Sequence, residues 1–190
     1  MDFITLSNLS STKLIKDTLV HPLKINRDAS GILVETLRKD WKNIYGPGRE
    51  FAMQYYSVTD SGVARDEDVW HYHPTVQEDR FLVVQGEIIV AVADKREGSS
   101  TNGLLNLFYM QADKDPYILL VPKKTLHTFM VVSKKPAIIL NYATKLYNPA
   151  EEGRIPFEEA GVKLADEELF TWEKARREFP KFYSSINAQH

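Results

Sequence analysis

Residues able to do chemistry concentrate in one stretch, Trp70-His71-Tyr72-His73-Pro74-Thr75-Val76-Gln77-Glu78-Asp79-Arg80, and in a histidine beyond it, His127. Side chains two apart on a β-strand share a face, so His71 and His73 project together if this segment is extended. A carboxylate follows where the next strand opens, at Glu78 or Asp79. These neighbours point to opposite faces, so one of them joins the histidines, and the spacing leaves both open. His127 follows Pro122-Lys123-Lys124-Thr125-Leu126 and begins a further β-run. His71, His73 and His127 with Glu78, or Asp79 as the alternative, make a nitrogen–oxygen donor set. Such a set suits Zn, Mn, Fe, Co or Ni better than Ca or Mg. Imidazoles titrating near neutrality are equally suited to acid–base work without a metal, or can simply line a barrel.

The elements that must position these residues are mostly strands. Ile32–Leu37 reads as a strand, and Tyr45-Gly46-Pro47-Gly48 as a turn. Strands are then expected at Phe51–Val58, Arg80–Gln85, Glu87–Val92, Leu104–Met110, Tyr117–Val121, His127–Val132 and Ala137–Thr144. Turn-formers separate them: Gly86, Asn102-Gly103, Asp113–Pro116 and Lys134–Pro136. Short strands at near-regular spacing argue for an antiparallel sandwich or small barrel. From Asp166 to Phe179 the period changes, with Leu169, Trp172, Ala175 and Phe179 on one helical stripe. Asp166, Glu167 and Glu168 would open that helix, and Lys174, Arg176 and Arg177 would close it, complementing its dipole.

The chain has 190 residues, of which 43% are hydrophobic and 26% charged, a balance that excludes wholesale disorder. A net charge of −2 provides no basic field for nucleic acid, and the absence of cysteine removes disulfides, thiolate metal sites and cysteine nucleophiles. Apolar runs fall short of the ~18 residues of a membrane span, and Met1-Asp2-Phe3 does not begin a secretory signal. A cytoplasmic protein with no membrane partner is expected. One domain is expected over residues 1–190: an arm over 1–25, a β-barrel over 26–150, and a C-terminal extension over 151–190 with its helix at about 166–179.

His71, His73, Glu78 and Gly86 resemble the first cupin motif, a histidine pair followed by glutamate and then glycine. Counting back from Gly86 puts Asp79 in the carboxylate place. Pro122 and His127 resemble the second motif, with Lys124 where glycine is usual. A wider resemblance, over about residues 20 to 165, is to the dTDP-4-dehydrorhamnose 3,5-epimerases. It rests on Asp28-Ala29-Ser30-Gly31 through Glu35, on Val90 through Gly103, and on Tyr147-Asn148-Pro149-Ala150-Glu151-Glu152-Gly153-Arg154-Ile155. It implies an all-β cupin jelly-roll barrel, a homodimer with exchanged N-terminal strands, and a substrate that is a nucleotide-linked keto sugar. His71 matches the family's base and His127 its second active-site histidine, with no metal required; a C-terminal aspartate that orients the base would correspond to Asp166.

The departures are specific. The family's two diphosphate-binding arginines are here Asp68 and Ser30, its enolate-stabilising lysine is Asp79 beside Arg80, and its catalytic tyrosine is Asn141. Arg65 is a candidate for a lost diphosphate contact, and Tyr56, Tyr72 and Tyr142 are candidates for the lost phenol. Gln77, Arg80, Asn141 and Tyr142 are the substrate-binding candidates. The expected activity is epimerisation or keto isomerisation next to a carbonyl of a sugar or sugar nucleotide, in carbohydrate or polysaccharide biosynthesis. His71 and His127 would be catalytic, helped by one divalent transition metal (Zn, Mn, Fe or Ni) if the donor set is filled, and by none if the epimerase mechanism holds. The alternatives are a dioxygenase-type metal cupin and a non-catalytic sugar-binding cupin.

Overall fold

The computed structural model describes residues 1–187. In chain order the strands are β1 (Phe3–Ile4), β2 (Leu19–Pro22), β3 (Ile25–Asp28), β4 (Gly31–Val34), β5 (Tyr55–Thr59), β6 (Ala64–Arg65), β7 (Val69–Tyr72), β8 (Asp79–Gln85), β9 (Glu87–Ala93), β10 (Leu105–Gln111), β11 (Tyr117–Val121), β12 (Leu126–Val131), β13 (Ala137–Asn141) and β14 (Gly153–Pro156). Among the described residues three α-helices accompany them, α1 (Lys42–Tyr45), α2 (Phe157–Ala160) and α3 (Trp172–Asn187), with short 3₁₀ turns at Leu9–Ser11 and Pro149–Glu151. One sheet runs β1-β10-β9-β12-β7-β14, with β6 also on β12, and the facing sheet runs β2-β11-β8-β13-β5. Pairing is antiparallel except between β1 and β10. This is the jelly-roll barrel of the cupin fold, with a helix at its C-terminal end.

Strand parity builds the core. On β9, Ile88, Val90 and Val92 point between the sheets and pack with Phe81, Val83, Leu119, Val121 and Ile139. The alternate residues Ile89, Ala91 and Ala93 face outward, under Trp70, Phe157, Phe170, Trp172 and Phe179 from β7 and the C-terminal segment. On the far side Leu82, Ile118, Leu120 and Tyr142 are covered by Leu23, Ile44 and Tyr45. Strands covered on both faces read as unbroken apolar runs, which is why β9 and β11 show no alternation in the sequence. Two glycines are demanded by the geometry. Gly86 joins β8 to β9 at φ +78°, against Ser133 and Ala137, and Gly153 lies under the ring of Tyr72, which a Cβ would meet at 2.3 Å.

Several expectations are corrected. Within the N-terminal arm, β1 and β2 each extend a sheet. Val34 ends a strand expected to reach Leu37, and residues 51–54 precede β5 rather than belong to it. The helix begins at Trp172, six residues late. The chain before it folds back on itself, with a Lys163–Leu169 bridge and Glu167 at φ +64°, and Thr171 Oγ1 then accepts from Lys174 N. Lys174, Arg176 and Arg177 therefore sit at the start of α3, so the dipole argument fails. Lys174 instead reaches Leu169 O at 3.1 Å and Arg176 pairs with Glu67.

The loop between β9 and β10 is organised by one buried carboxylate. Asp94 accepts from Arg96 Nε and Nη2 (both 2.9 Å), Ser99 Oγ and Thr101 Oγ1 (both 2.6 Å). Burial opposes the charge, but these donors hold Asp94 far below the usual carboxylate range. A depressed folded-state pKa stabilises above the unfolded value near 4, and that stability is lost as pH falls through the folded value. Asp94→Asn is expected to cost about 2–3 kcal/mol in urea unfolding at pH 7, and the deficit should shrink toward strongly acidic pH.

Candidate functional site

The site lies inside the barrel, against β7, β8, β12, β13 and β5. On β7 Trp70 points into the outer core and His71 to the interior, with His73 just past the strand on the same side. Directly across the ladder, His127 pairs with His71. Asp79 opens β8 on the inward face it shares with Phe81. His71 Nδ1 lies 3.2 Å from His127 Nε2, His73 Nε2 lies 2.9 Å from Asp79 Oδ2, and His127 Nε2 lies 3.4 Å from the same oxygen. One nitrogen from each of the three histidines falls within a 4.8 Å cluster.

Two further contacts fix the tautomers. His71 Nε2 donates to Glu152 Oε2 at 2.7 Å, which leaves Nδ1 as its basic atom. His73 Nδ1 donates to the Glu151 carbonyl at 2.8 Å, so its Nε2 faces the cluster. Glu151 is itself held by Thr75 and by the backbone N–H of Val76. Burial, with the neighbouring His127 and His73, pushes His71 down to about 4 against the pull of Glu152, so at neutral pH it is an uncharged base. Burial works against a charged His73, yet hydrogen bonding to Asp79 raises it above its ordinary value. Burial likewise opposes a charged Asp79, but His127 and His73 hold it well below the usual carboxylate range.

The sequence candidates separate by parity. Glu78 does not join the histidines: it turns to the other side and pairs with Arg49 (Oε2 to Nε 2.7 Å), and Asp79 occupies the carboxylate place instead. Arg80 is wholly buried and spends its guanidinium on the carbonyls of Tyr142, Ile44, Arg49, Glu50 and Ala143, with Tyr45 beneath it. Tyr142 faces the same outer side and donates to Thr36 Oγ1. Neither Arg80 nor Tyr142 reaches the cavity. Gln77 is inside, with its amide nitrogen 3.1 Å from both His73 Nε2 and Asp79 Oδ1. Asn141 is inside as well, and accepts from Arg80 N while donating to Tyr55 Oη.

A cavity of about 150 Å³ opens over the cluster, lined by Tyr55, Ser57, Arg65, His71, Asp79, His127 and Asn141 among others. That is room for roughly five waters, or one sugar ring. Larger grooves lie on the exterior near α3, away from the histidines. Two residues here escape a sequence reading that follows the histidine motif. Glu152 performs the orienting contact expected of Asp166, which instead accepts from Glu168 N in an exposed turn. Tyr55 brings a phenol to the cavity, whereas Tyr56 points away, Tyr142 faces the outer side and Tyr72 packs over Gly153. Alternation with Ser57 was the one available signal for Tyr55.

Comparison with known proteins agrees with this architecture. Over 146 residues the chain is 36% identical to the probable low-salt glycan biosynthesis epimerase Agl13 of Haloferax volcanii, covering 76% of this chain and 89% of that one. It is 31% identical over 151 residues to the spore coat polysaccharide biosynthesis protein SpsL of Bacillus subtilis, covering 78% and 94%. A dTDP sugar isomerase from Desulfovibrio desulfuricans G20 superposes with a TM-score of 0.69 at 20% identity, over 80% of this chain and 91% of that one. The epimerase RmlC of Legionella pneumophila Philadelphia 1, in complex with dTDP-4-keto-L-rhamnose, superposes with a TM-score of 0.66 at 25% identity, over 75% and 74%. The family model for dTDP-4-dehydrorhamnose 3,5-epimerase matches residues 12–176, most of the barrel and the start of α3, and the chain belongs to that family.

Proposed function

We propose that this protein epimerises a nucleotide-linked keto sugar at a carbon beside the ketone, in glycan or polysaccharide biosynthesis. The observation that carries the reading is the His71–Glu152 pair, an uncharged imidazole with its tautomer fixed and its basic Nδ1 in the barrel. A ketone acidifies the adjacent C–H. His71 Nδ1 takes that proton, the C–H electron pair becomes the enolate double bond, and the carbonyl oxygen becomes an oxyanion. Glu152 steadies the imidazolium that forms, as a carboxylate does in other base dyads. His127, whose Nε2 lies 3.2 Å from His71 Nδ1, is the donor at hand for the oxyanion, since both nitrogens of His73 are engaged by Glu151 and Asp79. Arg65 lines the cavity and Arg154, opposite His71 on β14, lies 3.7 Å from Asp66; these are the cations at hand for a diphosphate. In D2O with dTDP-4-keto-6-deoxyglucose, deuterium should enter at a carbon adjacent to the ketone, read by NMR. No wash-in with this compound or its UDP counterpart would sink the reading.

A second reading has its own observation. A tetrahedral ion with bonds of about 2.0–2.1 Å sets its ligand atoms roughly 3.3 Å apart. Three separations among His73 Nε2, Asp79 Oδ2, His127 Nε2 and His71 Nδ1, at 2.9, 3.2 and 3.4 Å, fit that spacing, and the histidine nitrogens, within 4.8 Å of one another, would draw together around an ion. The outward nitrogens of His71 and His73 are held by a carboxylate and a carbonyl, the usual support of ligating histidines. These residues would hold one Zn, Mn, Fe or Ni ion, which when bound would polarise the ketone as a Lewis acid. Elemental analysis of protein purified without chelator or affinity-column metal, repeated on His73→Ala, decides between the readings. Near-stoichiometric metal lost in the variant supports this one, and a metal-free wild type removes it.

A homodimer belongs to the same proposal. The β3–β4 hairpin pairs with neither sheet and exposes Ile32 and Leu33, and the edge strand β5 exposes Tyr56 and Val58. Among the described residues no helix is long and apolar enough to cross a membrane. A nucleotide-linked substrate fits the cytoplasmic location expected from the sequence.

A further inference from the structure

Inverting a carbon through an enolate needs a proton removed from one face and another delivered to the opposite face. His71 supplies the first from β7, in one sheet. The facing sheet must supply the second, from β8, β13 or β5. On β13 the residues beside the cavity are Ile139, which is apolar, and Asn141, whose amide does not release a proton. The cross-strand partner of Asn141 on β5 is Tyr55, in register and on the same face.

The geometry points to Tyr55 as the acid that protonates the enolate from the face opposite His71, an assignment that rests on the epimerase reading above. Asn141 fixes the phenol's position. Its Oδ1 accepts from the backbone N–H of Arg80 at 3.1 Å, which orients the amide so that Nδ2 must point at Tyr55, and Nδ2 donates to Tyr55 Oη at 2.8 Å. The phenol oxygen is thus an acceptor in this bond, and its own hydrogen is left to be given. Burial of the hydroxyl end, with the Asp79 charge next in weight, pushes the phenol up to about 12, so it carries its proton at neutral pH. Tyr55 is 45% exposed and lines the cavity. The step balances: the enolate double bond takes the phenol proton to form the inverted C–H, the carbonyl reforms, the phenolate regains a proton from water at the mouth, and His71 returns its proton to solvent.

The test separates proton removal from inversion. With dTDP-4-keto-6-deoxyglucose in D2O, Tyr55→Phe should keep deuterium wash-in within a few-fold of wild type, since His71 is intact. It should form the inverted product about 10²–10⁴-fold more slowly. The double variant Tyr55→Asn with Asn141→Tyr returns a phenol from the neighbouring strand, and should recover inversion at least tenfold over Tyr55→Asn alone. Inversion by Tyr55→Phe at the wild-type rate overturns the assignment. So does loss of wash-in and inversion together in a variant that melts like wild type, because Tyr55 would then act in binding. Absence of wash-in by the wild-type protein is a different result, which overturns the epimerase reading and this assignment with it.

Discussion

His71→Asn should abolish deuterium wash-in next to the ketone, lowering its rate by about 10³-fold or more while leaving the melting temperature close to wild type. Asparagine keeps a polar, hydrogen-bonding side chain in the barrel but offers no nitrogen that titrates as a base. The companion change Glu152→Ala leaves the base and removes its support. A hydrogen bond to a charged group contributes about 1.5–3 kcal/mol, so kcat should fall roughly 10–100-fold with KM little changed. That ordering distinguishes a base from its positioning residue. If His71→Asn retained wash-in near the wild-type rate, proton removal would have to be assigned elsewhere in the cluster.

The second large effect is on stability. Arg80→Met should cost about 3–5 kcal/mol in chemical denaturation, a large share of the roughly 5–15 kcal/mol that holds a domain together. The guanidinium serves five carbonyls drawn from the segment just after β13, from α1 and from the 49–50 segment, and it lies 4.2 Å from the centre of the Tyr45 ring. Methionine fills the volume but leaves those acceptors unpaired in the interior, where each loses its hydration without replacement. A substrate contact would behave differently, raising KM at unchanged stability. Finding that pattern for Arg80→Met would reverse the structural assignment.

The two arginine candidates, Arg80 and Arg65, end in different places for one reason. Arg80 sits beside the histidine motif in sequence, but β-strand parity sends it to the outer face, whereas Arg65, on the short strand β6, reaches the cavity edge. The sequence by itself determined the fold class, most strand positions, and the inward histidines, because period-two patterning and turn residues are local properties that survive any tertiary context. It also brought His71, His73 and His127 together, since two residues on one strand and one on its neighbour need only the barrel to converge. It could not choose between Glu78 and Asp79, because a shift of one residue at the start of β8 exchanges the faces, and only the pairing of β8 with β11 and β13 sets that register. It could not see the helix start at Trp172, where a local fold-back outcompetes a good helical stripe. Least legible were Glu152 and Tyr55, which lie 81 residues after His71 and 86 before Asn141. Contacts at that separation are written in the sheet topology and not in any motif, so the orienting carboxylate and the facing phenol were decided by tertiary structure alone.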